Sequence, residues 1–137
     1  MTLSDPSPLR GAALDHLVLR VRDLGRCLAF YRDLLGLPIE GEADLAAGTR
    51  SFVSARIGSS LIDLVPDPTF AGPAAGLDHF CLAIETADLT AAKAWLESHG
   101  VTVERGPLTV QGARGAGRAL YVRDPDGYQV ELKLYPQ

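Results

Sequence analysis

The sequence predicts an α+β fold made of two tandem copies of one βαβββ module. Three observations carry this. The tripeptide Leu-Asp-His occurs twice, opening "LDHLVLRV" (Leu14 to Val21) and "LDHFCLAI" (Leu77 to Ile84). Each run alternates in polarity as a strand does, and an aspartate, a helically spaced apolar segment and a glycine follow it. Equivalent residues also keep step: His16 and His79 are 63 apart, Gly36 and Gly100 are 64 apart, as are Glu40 and Glu104, and Asp63 and Glu131 are 68 apart. A near-constant offset that grows only across loops marks a duplicated unit.

In order along the chain, the first strand leads to Asp23, a suitable helix N-cap. "DLGRCLAFYRDLLG" then places Leu24, Leu28, Tyr31 and Leu35 at helical spacing, and Gly36 ends the helix. "LPIE", "RSFVSARI" and "SLIDLVP", split by Gly and Ser, read as three strands. "PDPTFAGPAAG" (Pro66 to Gly76) is rich in Pro, Gly and Ala and reads as a linker. The second half repeats the order: Asp88 caps the helix "DLTAAKAWLESHG", which Gly100 ends, and the strand "VTVERGP" follows. After it come the loop "LTVQGARGAG", the strand "RALYVRD", the turn "DPDG" and the strand "YQVELKLY". The expected divisions are a flexible N-terminal arm over 1–13 and a single domain over 14–137. Within the domain, module one spans 14–65, the linker 66–76 and module two 77–135.

At 137 residues the chain can bury a core, and 47% hydrophobic with 22% charged residues is ordinary globular material. The net charge of -4 and scattered arginines argue against a nucleic-acid partner. No apolar run approaches the roughly 20 residues of a membrane helix. The opening "MTLSDPSPLRGA" lacks an apolar signal core. Cys27 and Cys81, the two cysteines, make neither a disulfide framework nor a zinc ribbon, so a cytoplasmic protein is expected.

Strand alternation turns the repeat into chemistry. His16 shares a face with Leu14, Val18 and Arg20, while Leu17, Leu19 and Val21 take the other. His79 likewise goes with Cys81 and Ala83, opposite Phe80, Leu82 and Ile84. In the last strand Val130, Leu132 and Leu134 pack while Gln129, Glu131 and Lys133 point away, and Asp63 lies between Ile62 and Leu64 in the same manner. Each module therefore offers one imidazole and one carboxylate on its polar face. A lone strand histidine is more often structural than a ligand, but two at equivalent positions, each matched by an acid, favour a site. Two nitrogens and two oxygens suit a divalent first-row metal (Fe, Ni, Zn, Mn or Co). The set is not a calcium cage.

The stretches "DHLVLRVRDLGRCLAFYRDLLGL", "LDHFCLAIE" and "ALYVRDPDGYQVELK" resemble the vicinal oxygen chelate superfamily, which comprises glyoxalase, bleomycin-resistance and dioxygenase families. The resemblance spans Leu14 to Tyr135. It implies a cupped mixed sheet with helices on the outer face and a metal at the modules' paired surface in a homodimer. By residue, it puts metal ligands at His16, His79 and Glu131, with Asp63 at the fourth position. It implies capture of a small substrate through two neighbouring oxygens, with lyase or isomerase chemistry through an enediolate and Glu131 or Asp63 moving the proton.

Asp63 departs from the usual Glu or Gln. If it falls short of the metal, His16, His79 and Glu131 form a two-histidine, one-carboxylate triad suited to an Fe(II) ring-cleaving dioxygenase. A third reading is a metal-free, antibiotic-sequestering binding protein. Arg20 occupies a position like one that meets glutathione in glyoxalase I, although an ion pair with a nearby acid explains it equally, and Asp67 argues against an anionic substrate there. Arg114 and Arg118, in or beside "GARGAG", are candidate contacts for an anionic substrate, and Tyr121 is a weaker candidate. Ala119 stands where fosfomycin-resistance enzymes carry serine. "DPDG" fails the EF-hand spacing and reads as a type I turn.

Overall fold

The computed structural model describes residues 8–9, 12–74 and 76–136. Most of the expected N-terminal arm, and position 75 of the linker, lie outside them. The first module comprises β1 (His16–Val21), α1 (Leu24–Leu28), β2 (Ile39–Glu40), α2 (Glu42–Ala46), β3 (Val53–Ile57) and β4 (Ser60–Pro66). The second comprises β5 (Phe80–Ala83), α3 (Leu89–Ser98), β6 (Arg105–Gly112), β7 (Gly115–Arg123) and β8 (Gln129–Leu134). Each module forms its own four-stranded sheet, in the orders β1-β4-β3-β2 and β5-β8-β7-β6. In both, the first strand lies parallel to the last and the other pairings are antiparallel. The two topologies superimpose strand for strand, the duplication read from the sequence. Among the described residues no helix is long and apolar enough to cross a membrane.

Local chemistry explains the helices. Asp23 accepts from the Arg26 N–H at 3.2 Å and Asp88 from the Ala91 N–H at 2.7 Å, so both expected N-caps form. Gly36 and Gly100 adopt φ of 76° and 81°, the left-handed geometry that ends a helix cheaply only at glycine. Three details differ from expectation. The first helix is α-helical only to Leu28; from Ala29 to Leu34 it widens to π, with the Leu35 N–H donating to the Phe30 carbonyl at 3.0 Å. The wider turn carries Tyr31, which is tethered to module two, and absorbs one extra residue before Gly36. The short α2 was not signalled by any apolar period. The segment "LTVQGARGAG" is not a loop: β6 and β7 run together almost to Gly112–Gly115 as one long hairpin. Its small residues tighten the hairpin rather than loosen it.

One apolar cluster joins the modules. Leu19, Val21, Ile62 and Leu64 of the first sheet and Leu82, Leu120, Val122, Val130 and Leu132 of the second pack with Cys27, Leu28, Phe30 and Tyr31. These are the sheet faces opposite the histidines. The opposite face of β1 is open: Val18 is 53% exposed and Leu14, just before the strand, 72%. The last strand departs from simple alternation, since Glu131 and Lys133 are as buried as Val130 and Leu132. β8 lies between β5 and β7, and Gly112 and Gly117 of the β6–β7 hairpin lie against the Lys133 side chain on its polar side.

The β7–β8 turn holds module one to module two. Its Gly127 N–H donates to the Asp124 carbonyl at 3.0 Å, closing the four-residue turn. Asp124 and Asp126 are buried and accept donors from the first module. The Tyr31 hydroxyl donates to Asp124 Oδ2 at 2.6 Å, Cys27 Sγ to Asp126 Oδ2 at 3.0 Å, and Arg22 Nε to Asp126 Oδ1 at 3.0 Å. Burial opposes ionisation of Asp126, but the Cys27 and Arg22 donors outweigh it and hold this carboxyl below its usual range. Burial raises Asp124 despite its own donors.

Tyr31→Phe leaves a buried carboxylate oxygen without its donor and is expected to cost about 1–3 kcal/mol in urea denaturation. Asp126 has a depressed pKa, so its stabilisation is present above the unfolded value of about 3.9 and is lost as pH falls through the folded value. Asp126→Asn is therefore expected to be less stable than the natural chain at neutral pH, with the gap closing below roughly pH 4. Asp124 acts with the opposite sign, so the difference between the two proteins, rather than either acid curve alone, isolates Asp126. A gap that persists unchanged in acid would contradict this assignment.

Candidate functional site

Each Leu-Asp-His tripeptide builds the same local device. Asp15 Oδ2 lies 2.7 Å from His16 Nδ1, and Asp78 Oδ2 lies 2.6 Å from His79 Nδ1. A carboxylate at Nδ1 selects the tautomer protonated there and leaves the Nε2 lone pair available to a ligand. The hydrogen bond to Asp15 raises the His16 pKa against the opposing effect of burial, and the charge of Asp63 adds to the rise. The repeated aspartate thus orients the repeated histidine.

In module two, Cys81 of β5 and Tyr121 of β7 both pair in register with Glu131 of β8. His79, two residues before Cys81, shares their face. Its Nε2 lies 3.2 Å from Glu131 Oε1, and its ring stands edge-on to Tyr121 at 5.8 Å between centroids. With Nδ1 committed to Asp78, Nε2 and Oε1 face one another as two donors of electron pairs. A proton on Nε2, or a cation between them, would satisfy both. Burial first, and Glu131 second, raise the Tyr121 phenol and push the Cys81 thiol up to about 12. A thiol shifted that far is protonated at neutral pH.

Module one is similar in register but not in detail. Val18 of β1 and Ser54 of β3 both pair with Asp63 of β4. Ser54 Oγ donates to Asp63 Oδ1 at 2.6 Å and accepts from Arg50 Nη2 at 2.7 Å. The Arg50 guanidinium lies 4.2 Å over the Phe52 ring. Asp63 is buried, and its side chain is one methylene shorter than that of Glu131.

Among the described residues, no three His, Cys, Asp or Glu side chains of one chain gather closely enough to hold a metal ion. The four residues His16, Asp63, His79 and Glu131 form two half-sets, one on each sheet. Each half-set offers one imidazole nitrogen and one buried carboxylate, a donor chemistry that fits a divalent first-row metal.

The remaining candidates separate. Arg20 Nη1 lies 3.6 Å from Asp67 Oδ2, the plain ion pair at a strand exit. Arg114 lies 4.3 Å over the Tyr135 ring, and its backbone N–H donates to the Tyr135 hydroxyl at 3.2 Å. Arg118 Nη2 donates to the Pro107 carbonyl at 3.3 Å. Of the four substrate candidates, Tyr121 alone is drawn to the His79–Glu131 pair. Sequence reasoning missed Asp15, Asp78, Ser54 and Lys133. Repetition of the aspartates was a readable signal, and so was the Glu131–Lys133 alternation. Ser54 had none, because its pairing with Asp63 depends on β3–β4 register.

The comparisons agree with this architecture. Residues 13–132 match the model of the Glyoxalase/Bleomycin resistance protein/Dioxygenase superfamily. The chain is 31% identical over 127 residues to the glyoxalase domain-containing protein RDO1 of Mycosarcoma maydis, with 90% of this chain and 68% of that protein covered. It is also 31% identical over 127 residues to a probable lactoylglutathione lyase of Synechocystis sp., with 85% and 91% covered. An integron cassette protein from the mobile metagenome of V. cholerae has a similar structure, with a TM-score of 0.72 at 30% identity and 93% and 98% of the chains covered. With its duplicated βαβββ module and a match spanning both copies, the chain belongs to the glyoxalase/bleomycin resistance protein/dioxygenase superfamily.

Proposed function

We propose that the protein is a metal-dependent enzyme of lyase or isomerase type, acting as a homodimer on a small substrate with two neighbouring oxygens. One site is made of His16 and Asp63 from one copy and His79 and Glu131 from the other. The carrying observation is the pair of matching half-sets that do not meet within one chain. The open histidine faces support a second copy as their cover: Leu14 is 72%, Val18 53% and Leu77 37% exposed beside the two histidines. The family match and the similarity to a probable lactoylglutathione lyase support the reaction class.

When bound, the metal supplies Lewis acidity to the two substrate oxygens. The chain's own residues do the rest. Asp15 and Asp78 fix the imidazoles with Nε2 outward. Tyr121 and Cys81, kept protonated by burial and by Glu131, brace that carboxylate. Glu131 takes a proton from the substrate carbon beside the chelating oxygens and returns it to the neighbouring carbon. One specific observation supports a second reading. The Ser54 bond occupies Asp63 Oδ1, which would leave His16, His79 and Glu131 as a triad for Fe(II) and oxygen chemistry.

Two expectations test these readings. Protein reconstituted with Zn(II), Ni(II) or Fe(II) and freed of excess metal is expected to hold about one ion per chain by elemental analysis. His79→Ala is expected to hold almost none; full metal retention in that variant sinks the site. Asp63→Ala is expected to weaken metal affinity by roughly 10–100-fold if Asp63 is a ligand. Ser54→Ala, which frees Asp63, should then leave affinity equal or tighter. An unchanged dissociation constant in Asp63→Ala moves the protein towards the triad reading.

A further inference from the structure

Arg50 carries a charge that no carboxylate of the first module meets directly. It is half-buried, and among the described residues its guanidinium donates to a single acceptor, Ser54 Oγ at 2.7 Å. Its Nε is buried without a partner. Glu40, which pairs in register with Ser54, is committed instead to Arg56 through contacts of 2.7 and 3.1 Å. A buried N–H without an acceptor is costly, so the fold holds this guanidinium against its own hydrogen-bonding preference.

Shape does the holding. Arg50 Cζ lies 4.2 Å over the Phe52 ring, and a Cβ on Gly41 would come within 2.6 Å of Nη1. A larger residue at Gly41, whose φ is 92°, would be strained and would push the guanidinium off Ser54. From this slot the hydrogen bonds run one way. A guanidinium only donates, so Ser54 accepts from it and has its own hydrogen to give; a carboxylate only accepts. Ser54 Oγ donates that hydrogen to Asp63 Oδ1 at 2.6 Å. Ser54 is fully buried, and a hydroxyl that accepts from a cation is the stronger donor in turn. Ser54, Asp63 and Val18 lie in register across three strands, two residues from His16 on the same face.

We infer that Arg50 is a positioning residue which, acting through Ser54, sets how much of Asp63 is available to a metal: it keeps Oδ1 on the serine and leaves Oδ2 to the cation. The inference rests on the metal-site reading, while the relay itself exists without metal. Arg50 touches neither the metal ligands nor the substrate; its effect passes through one hydroxyl. It thereby stands between the two readings of the centre. With the relay intact Asp63 is the weakest of the four donors, and with the relay broken the first module offers a whole carboxylate. No equivalent of this relay acts on Glu131, whose neighbours are His79, Tyr121, Cys81 and Lys133.

The test is the Zn(II) affinity of the full chain, read by competition with a chromophoric chelator at one protein concentration, alongside urea unfolding of the metal-free protein. Arg50→Met keeps an apolar cover for Phe52 and removes the donor; Ser54→Ala removes the relay itself. Each is expected to bind Zn(II) about tenfold more tightly than the natural chain, the effect of one hydrogen bond to a charged group. The double variant is expected to gain no more than either alone. In an Asp63→Ala background, Arg50→Met is expected to change Zn(II) affinity by less than about twofold. Unchanged or weaker affinity in Arg50→Met overturns the inference, and so do gains that add in the double variant. A gain that persists in the Asp63→Ala background also overturns it, because Arg50 would then act on the metal as a diffuse charge. If the natural chain takes up no Zn(II), the metal reading fails and the urea data decide on the relay. A midpoint shift from Arg50→Met that vanishes in the Ser54→Ala background supports it; a shift of equal size in both backgrounds overturns it.

Discussion

Hydrogen bonds from Tyr31, Cys27 and Arg22 to the buried Asp124–Asp126 turn fasten the first helix of one module to the last hairpin of the other. The rest of the molecule is arranged around this joint. It lies on the helix side, where the apolar faces of both sheets meet, so among the described residues the opposite faces of β1 and β5 are left open. Period-two alternation then places the histidines on those open faces. Each imidazole has its carboxylate on the parallel neighbouring strand, and the joint keeps the two pairs apart. A chain built this way carries two imidazole–carboxylate pairs on separate sheets and buries neither histidine.

The charges on the polar faces are not distributed evenly. Module one steadies Asp63 with a hydroxyl backed by a guanidinium, so its acid is already satisfied on one oxygen. Module two gives Glu131 a histidine, a phenol, a thiol and a buried ammonium. The duplicated scaffold has thus diverged in what it does with its carboxylate. The first is tethered and short; the second is long and shared among several groups. This asymmetry fits a site in which one acid is held still while the other moves a proton.

Much of this was legible in the sequence, for identifiable reasons. The repeat, both N-caps, both glycine stops and the four-residue turn follow from short-range rules that the chain obeys. The candidacy of His16, Asp63, His79 and Glu131 follows from strand alternation and equivalent positions. Distances in sequence hid the remainder. Nothing local announces that Ser54 meets Asp63 or that Arg20 is taken by Asp67. The β6–β7 hairpin looked like a loop because glycines usually signal one; here they permit close approach to Lys133 and Tyr135. Lys133 itself looked like a solvent-facing strand lysine, and it is the close approach of Gly112 and Gly117 that covers it.

The central claim is that two copies complete one site, and subunit mixing tests it most directly. His16→Ala and His79→Ala chains are each unable to assemble an intact set with themselves. Mixed and allowed to exchange, they form heterodimers in which one of the two sites regains both histidines. Metal bound by the mixture is predicted to recover to about a quarter of the natural level, since half of the dimers are mixed and each restores one site of two. No recovery above the separate variants would contradict a site shared between copies.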